Sequence, residues 1–265
     1  MYIDLTNFEF KLSLGFLSSF VQFYERITII MGKQYRITYK IFLNKRLKEV
    51  LFHDKTTHPL YIQLTYRRLN IVFKSYYFDL FAAKRYANPG KLTPNIEDVI
   101  AMERRVLEHI VDQNHVQITL VRLQKMYYFY SNDLCTSSEE VYGASLFLLL
   151  REHGNGSFAR ALANGYIHRE QVLYEIVEDM SQLFRADVYR NLLQKMEDMQ
   201  QFYIQLYGFM LRHKTSPYRY LSVLDWETGT TKSDFSAYLY SIGTYNPGAI
   251  IEYIDGWVAN QIKVQ

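Results

Sequence analysis

Eight cations crowd a short stretch of this 265-residue chain: Arg36, Lys40, Lys45, Arg46, Lys48, Arg67, Arg68 and Lys74. Lysine and arginine at this density suit phosphate recognition, in which side-chain charges replace the counterions of a polyanion. Other groupings offer less. His53, Asp54 and His58, and separately His109, Asp112 and His115, contain metal-ligating residue types. Neither trio has the spacing of a known metal site, and each equally suits a solvated face. Gly154-Asn155-Gly156-Ser157 is too short for a phosphate loop and lacks its lysine, and Gly229 stands at the wrong distance from Lys232-Ser233. Cys135 is the single cysteine. It excludes an intramolecular disulfide, suits a reducing compartment such as the cytoplasm, and has no base beside it in sequence to make a nucleophile. There is no His-Glu-x-x-His motif. The expectation is a non-enzyme with no cofactor and no metal.

Alternation of apolar and polar residues positions the cations. Over Tyr35–Leu43, Ile37, Tyr39, Ile41 and Leu43 fall on one face, with Arg36, Thr38, Lys40 and Phe42 on the other. That is the period of a half-buried strand. Pro59 opens a second run, Leu60–Tyr66, whose Leu60, Ile62, Leu64 and Tyr66 share a face. A third run covers Ile71–Phe78, and the brief link Arg67-Arg68-Leu69-Asn70 predicts an antiparallel hairpin. The first connection, Asn44–His58, holds Lys45, Arg46 and Lys48, and its Glu49–Phe52 can extend a strand or an edge. Three strands with one apolar face need cover, which the downstream helices can supply. The polar face then carries Arg36, Lys40, Arg67, Arg68 and Lys74. It fits the duplex groove or phosphates, and equally a solvated face whose lysines guard sheet edges.

The run Ile37–Arg46, a variable link and His58–Arg68 together resemble the N-terminal arm-type DNA-binding domain of phage-like tyrosine recombinases, over roughly residues 35–78. The shared pattern is a strand ending in a basic loop, then proline–hydrophobic–Tyr–hydrophobic, a basic turn and a third strand. The resemblance implies a sheet docked on double-stranded DNA, with Lys45, Arg46, Arg67, Arg68 and Lys74 as contacts. Strand exchange is not implied. The chain has no His-x-x-Arg motif, His168-Arg169 and Arg212-His213 have the wrong spacing, and the late Tyr238, Tyr240 and Tyr245 stand in a sequence with 24 tyrosines.

The net charge of +3 hides an asymmetry. Residues 1–91 hold 15 Lys and Arg against 6 Asp and Glu, net +9, and residues 92–265 hold 15 against 21, net −6. A basic third on an acidic body suits a polyanion on one side. Hydrophobic residues at 49% imply a globular core rather than a disordered chain. Aromatics at 16% are abundant and suit either interfaces or cores. No uncharged apolar stretch is long enough to span a membrane.

Residues 1–34 form an apolar, aromatic extension without the pattern of a signal peptide, and a start at Met31 would place the N-terminus directly before the first strand. Asn88-Pro89-Gly90 marks a turn, with Thr93 as cap and Pro94 as the first residue of a helix running to Gln113. Helices are then expected over the latter part of Val116–Leu134, Glu139–His153, Ser157–Gly165, His168–Arg185, a long run Asp187–His213, Asp234–Ser241 and Pro247–Val264, with Thr215-Ser216-Pro217 as a break and a short element in Tyr218–Trp226. The expectation is an α+β chain: an uncertain extension (1–34), a basic three-stranded antiparallel sheet (35–91) and an α-helical domain (92–265). The function expected is non-catalytic DNA binding, in a phage or mobile-element accessory factor. The alternative is a structural or interaction protein whose Tyr-rich helical body binds a partner or itself.

Overall fold

The computed structural model describes residues 35–86, 93–114, 118–167, 172–199, 202–212, 219–244 and 246–264. The expectations for residues 1–34, Asn88-Pro89-Gly90, His115, His168-Arg169, Thr215-Ser216-Pro217 and Tyr245 lie outside them. The fold is α+β. Strands β1 (Thr38–Leu43), β4 (Leu60–Tyr66) and β5 (Leu69–Lys74) form an antiparallel sheet in the order β1-β4-β5. A small hairpin of β2 (Val50–Phe52) and β3 (Lys55–Thr57) is inserted between β1 and β4. Among the described residues eleven α-helices follow: α1 (Tyr76–Phe81), α2 (Ile96–Gln113), α3 (Leu120–Ser131), α4 (Leu134–Glu152), α5 (Gly156–Ile167), α6 (Leu173–Leu183), α7 (Ala186–Asp198), α8 (Tyr203–Arg212), α9 (Val223–Glu227), α10 (Thr231–Ser241) and α11 (Pro247–Val264).

The alternation in β4 is complete: Leu60, Ile62, Leu64 and Tyr66 are buried, and the residues between them are half-buried. With Ile37 and Phe73 they form one core with Tyr77, Phe78 and Phe81 of α1, Val99, Val106, Leu107 and Ile110 of α2, and Leu123 and Tyr127 of α3. The sheet therefore buries its inner face on three helices, which a lone three-stranded sheet requires. A second core gathers Phe209, Trp226, Phe235, Leu239 and Ile254. A third gathers Tyr142, Leu146, Leu173, Val177, Met180, Met196 and Tyr203.

Local capping moves several boundaries from those read in the sequence. The third strand ends at Lys74 because Ser75 caps a helix, its Oγ accepting from the Phe78 amide at 2.9 Å. Tyr77, Phe78 and Phe81 then meet the core at helical spacing instead of alternating. Asn95, not Thr93, caps α2 through a reciprocal pair with Asp98, both bonds at 2.9 Å. Asp133 caps α4, so this helix starts at Leu134 rather than at Glu139. Helix α5 continues through Gly165 to Ile167. The run read as Asp187–His213 is two helices, α7 and α8.

Buried carboxylates join these elements. Glu103 of α2 is fully buried beneath the sheet. Its Oε1 accepts from the Ser75 hydroxyl, from the Tyr127 hydroxyl at 2.8 Å and from the Tyr77 amide at 3.3 Å. Its Oε2 accepts from no described residue. Burial pushes the Glu103 pKa up to about 7, against the lowering effect of these hydrogen bonds. The sign follows: because the folded-state value lies above the unfolded one, the stabilising contribution is complete below about pH 4.5 and is lost as pH rises through 7. The isosteric Glu103→Gln variant has no such dependence at this site. In urea unfolding, its stability relative to the natural chain should improve between pH 5 and pH 8 by on the order of 3 kcal/mol. A difference that stays constant with pH would contradict a buried, titrating Glu103.

Candidate nucleic-acid interface

The sheet has a second face, set by strand register. Three rows cross β1, β4 and β5 there: Thr38–Thr65–Asn70, Lys40–Gln63–Val72 and Phe42–Tyr61–Lys74. Thr38, Lys40, Asn70, Val72 and Lys74 are exposed, and Phe42, Tyr61, Gln63 and Thr65 are half-buried. The rows offer hydroxyl, amide and ammonium groups, the types that contact base edges and phosphates.

The remaining cations collect at the two ends of this face. At one end, β4 and β5 are joined by Arg67-Arg68 alone, since Tyr66 pairs with Leu69. Both arginines are in the left-handed region, with φ of 51° and 66°. A two-residue hairpin with both central residues at positive φ normally takes Asn-Gly, because a Cβ is disfavoured there. Here the turn holds two exposed arginines, and the Arg67 guanidinium lies 5.1 Å above the Tyr66 ring. Continuing the β1 register from the Thr38–Thr65 pair brings exposed Arg36 beside this turn. At the other end, the chain leaves β1 through a loop fixed by the Asn44 amide donating to the Pro59 carbonyl at 2.9 Å. Lys45, Arg46 and Lys48 are exposed on this loop. A strand of six residues separates the ends by roughly 20 Å, more than the roughly 12 Å width of a B-DNA major groove.

The structure thus groups Arg36, Arg67 and Arg68 at one end and Lys45, Arg46 and Lys48 at the other, with Lys40 and Lys74 on the face between. The cations differ in freedom. The Lys74 ammonium is 2.6 Å from Asp79, and Lys40 lies 5.6 Å over the Phe42 ring. Sequence reading missed exposed Lys55, which sits in the inserted hairpin opposite Phe52. It also treated Phe42 and Tyr61 only as strand formers.

His53, His58 and His109 each have another neighbour, and His115 lies outside the described residues. His53 meets the Phe52 ring edge-on at 4.4 Å, and burial lowers its pKa. His58 turns its Nδ1 to the Leu47 carbonyl at 3.1 Å. His109 meets the Tyr130 ring at 4.7 Å, and burial lowers its pKa as well. Among the described residues no group of three His, Cys, Asp or Glu is placed to hold a metal ion. Cys135 is buried, and burial pushes its thiol pKa well up. Tyr238 packs on Phe209 and Phe235, whereas Tyr240 is exposed. Among the described residues no helix is long and apolar enough to cross a membrane.

In comparisons with protein-family models, curated proteins and solved structures, nothing matches this chain.

Left-handed backbone costs a residue with a side chain about 1–2 kcal/mol. Replacing Arg67-Arg68 by Asn-Gly keeps the turn and relieves that strain, so the unfolding free energy should rise by about 1–3 kcal/mol in urea denaturation. A fall in stability would show that the arginines hold the hairpin together rather than strain it.

Proposed function

We propose that this chain is a non-catalytic protein that binds double-stranded DNA through the outer face and ends of its three-stranded sheet. The observation that carries the reading is the placement of cations at both ends of an open polar face, about 20 Å apart. A strand-based reader lying across a major groove needs this arrangement: one cluster for each flanking phosphate strand, and hydrogen-bonding side chains between them. The strained turn adds support. Two arginines occupy positions that hairpin stability would give to Asn-Gly, and strain of this kind persists where function uses it. The charge split also fits, since the acidic residues 92–265 would be repelled from the duplex and help set its orientation.

The resemblance of residues 35–78 to recombinase arm-type domains agrees with this reading and extends it to an accessory factor of a phage or mobile element, acting in the cytoplasm. The helical body then serves as the sheet's support. Part of the tyrosine excess that suggested an interaction surface serves the cores: Tyr77, Tyr127, Tyr142, Tyr203, Tyr207 and Tyr220 are buried, whereas Tyr128, Tyr240 and Tyr253 are exposed.

Phosphate contacts make affinity fall steeply with salt. Fluorescence anisotropy with a random-sequence duplex across a salt series should show a steep negative slope of log affinity against log salt. Arg67→Ala combined with Arg68→Ala should weaken binding and flatten that slope by roughly 2, about 0.9 for each lost contact. Unchanged affinity in the double variant would remove the turn from the interface, and absence of binding at low salt would overturn the reading.

A further inference from the structure

Phe42 and Tyr61 are not needed by the core. They are directly paired across β1 and β4 on the outer face, while the inner face is filled by Ile41, Leu60, Ile62 and Phe73. Their ring centroids are 6.4 Å apart with planes inclined at 36°. The Lys40 ammonium lies 5.6 Å over the Phe42 ring, and Lys74 continues the row beyond Tyr61. One residue after Phe42, β1 ends and the loop carrying Lys45 and Arg46 begins. Two aromatic rings thus lie side by side on an open sheet face, beside an exposed basic loop.

We propose that Phe42 and Tyr61 form a stacking subsite for an unpaired nucleobase, with Lys40, Lys45 and Arg46 taking the phosphates that flank it. This rests on the nucleic-acid reading above and adds a second substrate feature to it. Every base has a π-face, so the subsite tolerates any sequence, and Phe42 has no polar group with which to discriminate. In a fully paired duplex the base faces are hidden in the stack, so the subsite stays empty until an end, bulge or displaced strand supplies a free base. The sheet would therefore favour a duplex that carries a single-stranded segment. Stacking is worth about 1–3 kcal/mol per base, which corresponds to roughly fivefold to a hundredfold in affinity. A cross-strand aromatic pair also helps hold the two strands together, but that role alone predicts no preference for unpaired bases.

The test compares a blunt duplex with the same duplex bearing a thymidine overhang, using the full chain and fluorescence anisotropy. The overhang should bind roughly fivefold tighter or more. Phe42→Leu with Tyr61→Leu should abolish that gain, so that the variant binds the blunt and overhang duplexes equally. Phe42→Tyr with Tyr61→Phe should retain the gain. Equal affinity for the two ligands, or a gain that survives the double leucine variant, overturns the subsite. If the blunt duplex binds without any overhang gain, the subsite alone fails; if neither ligand binds, the DNA-binding reading fails with it. Should the leucine variant not fold, photocrosslinking of the natural chain to 5-iodouracil in the overhang decides the matter. An adduct on the peptide containing Phe42 or Tyr61 supports the subsite, and adducts confined to other peptides overturn it.

Discussion

Glu139 has no exposed side-chain surface, and its Oε2 lies 2.6 Å from the Arg85 guanidinium, itself nearly buried. Burial alone would lower the pKa of Arg85, but the neighbouring carboxylate outweighs it and holds the guanidinium firmly charged. The other carboxylate oxygen accepts from the Leu173 amide at 2.8 Å and the Tyr203 hydroxyl at 3.0 Å. One side chain of α4 therefore fastens three segments: the 3₁₀ turn Lys84–Tyr86 that follows α1, the start of α6 and the start of α8. A buried pair adds little net stability over an apolar one, yet removing either partner strands a charge and costs about 3–5 kcal/mol. The pair thus acts as a positional constraint. Arg85 follows the sheet and α1 closely in sequence, so anchoring it fixes how the sheet unit sits against the helices.

Glu103 and Asp133 apply the same device elsewhere. Glu103 gathers the end of β5, the first turn of α1 and a tyrosine of α3. Asp133 caps α4 through the Cys135 and Thr136 amides, both at 3.2 Å, and accepts from the Leu221 amide at 3.0 Å across the chain. All three acids act inside the molecule, on the inner side of the sheet or deeper. The cations proposed to bind nucleic acid stand on its other side and at its ends. This segregation lets one small sheet be rigidly supported and openly charged at once. Exposed ion pairs such as Lys74–Asp79 add little to stability; that one tempers a charge on the open face.

The strands were legible because each of their sequences obeys one period. Ile37 to Leu43 and Leu60 to Tyr66 alternate, and the sides that the alternation picked out face the core, buried throughout in β4 but only half-buried at Tyr39, Ile41 and Leu43 of β1. Helix α11 was legible from end to end, and α2 along its length, because their apolar stripes are regular. The errors fell where a single polar side chain decides the matter. Ser75 turns an aromatic run from strand into helix, and Asp133 starts α4 five residues early. Neither capping role stands out in composition or periodicity. Glu103 and Glu139 were overlooked although each left a trace. Glu103 falls in the apolar stripe of Val99, Val106 and Ile110, and Glu139 in that of Cys135, Tyr142 and Leu146. An acid at a core position is a cue to seek its partner. Of the proposed interface, the basic residues could be listed from the sequence. Their division between two ends, the left-handed Arg67-Arg68 turn and the Phe42–Tyr61 pair needed register and backbone angles.

The most direct measurement of the central claim is lysine-reactivity footprinting by mass spectrometry, with and without duplex DNA at low salt. Lys40, Lys45 and Lys48 are exposed on the sheet and its loop, and Lys125 and Lys195 are exposed on the helical body. DNA should protect the first three and leave the other two as reactive as before. Protection of Lys125 or Lys195 with the sheet lysines unchanged would place the contact on the helices and contradict that claim.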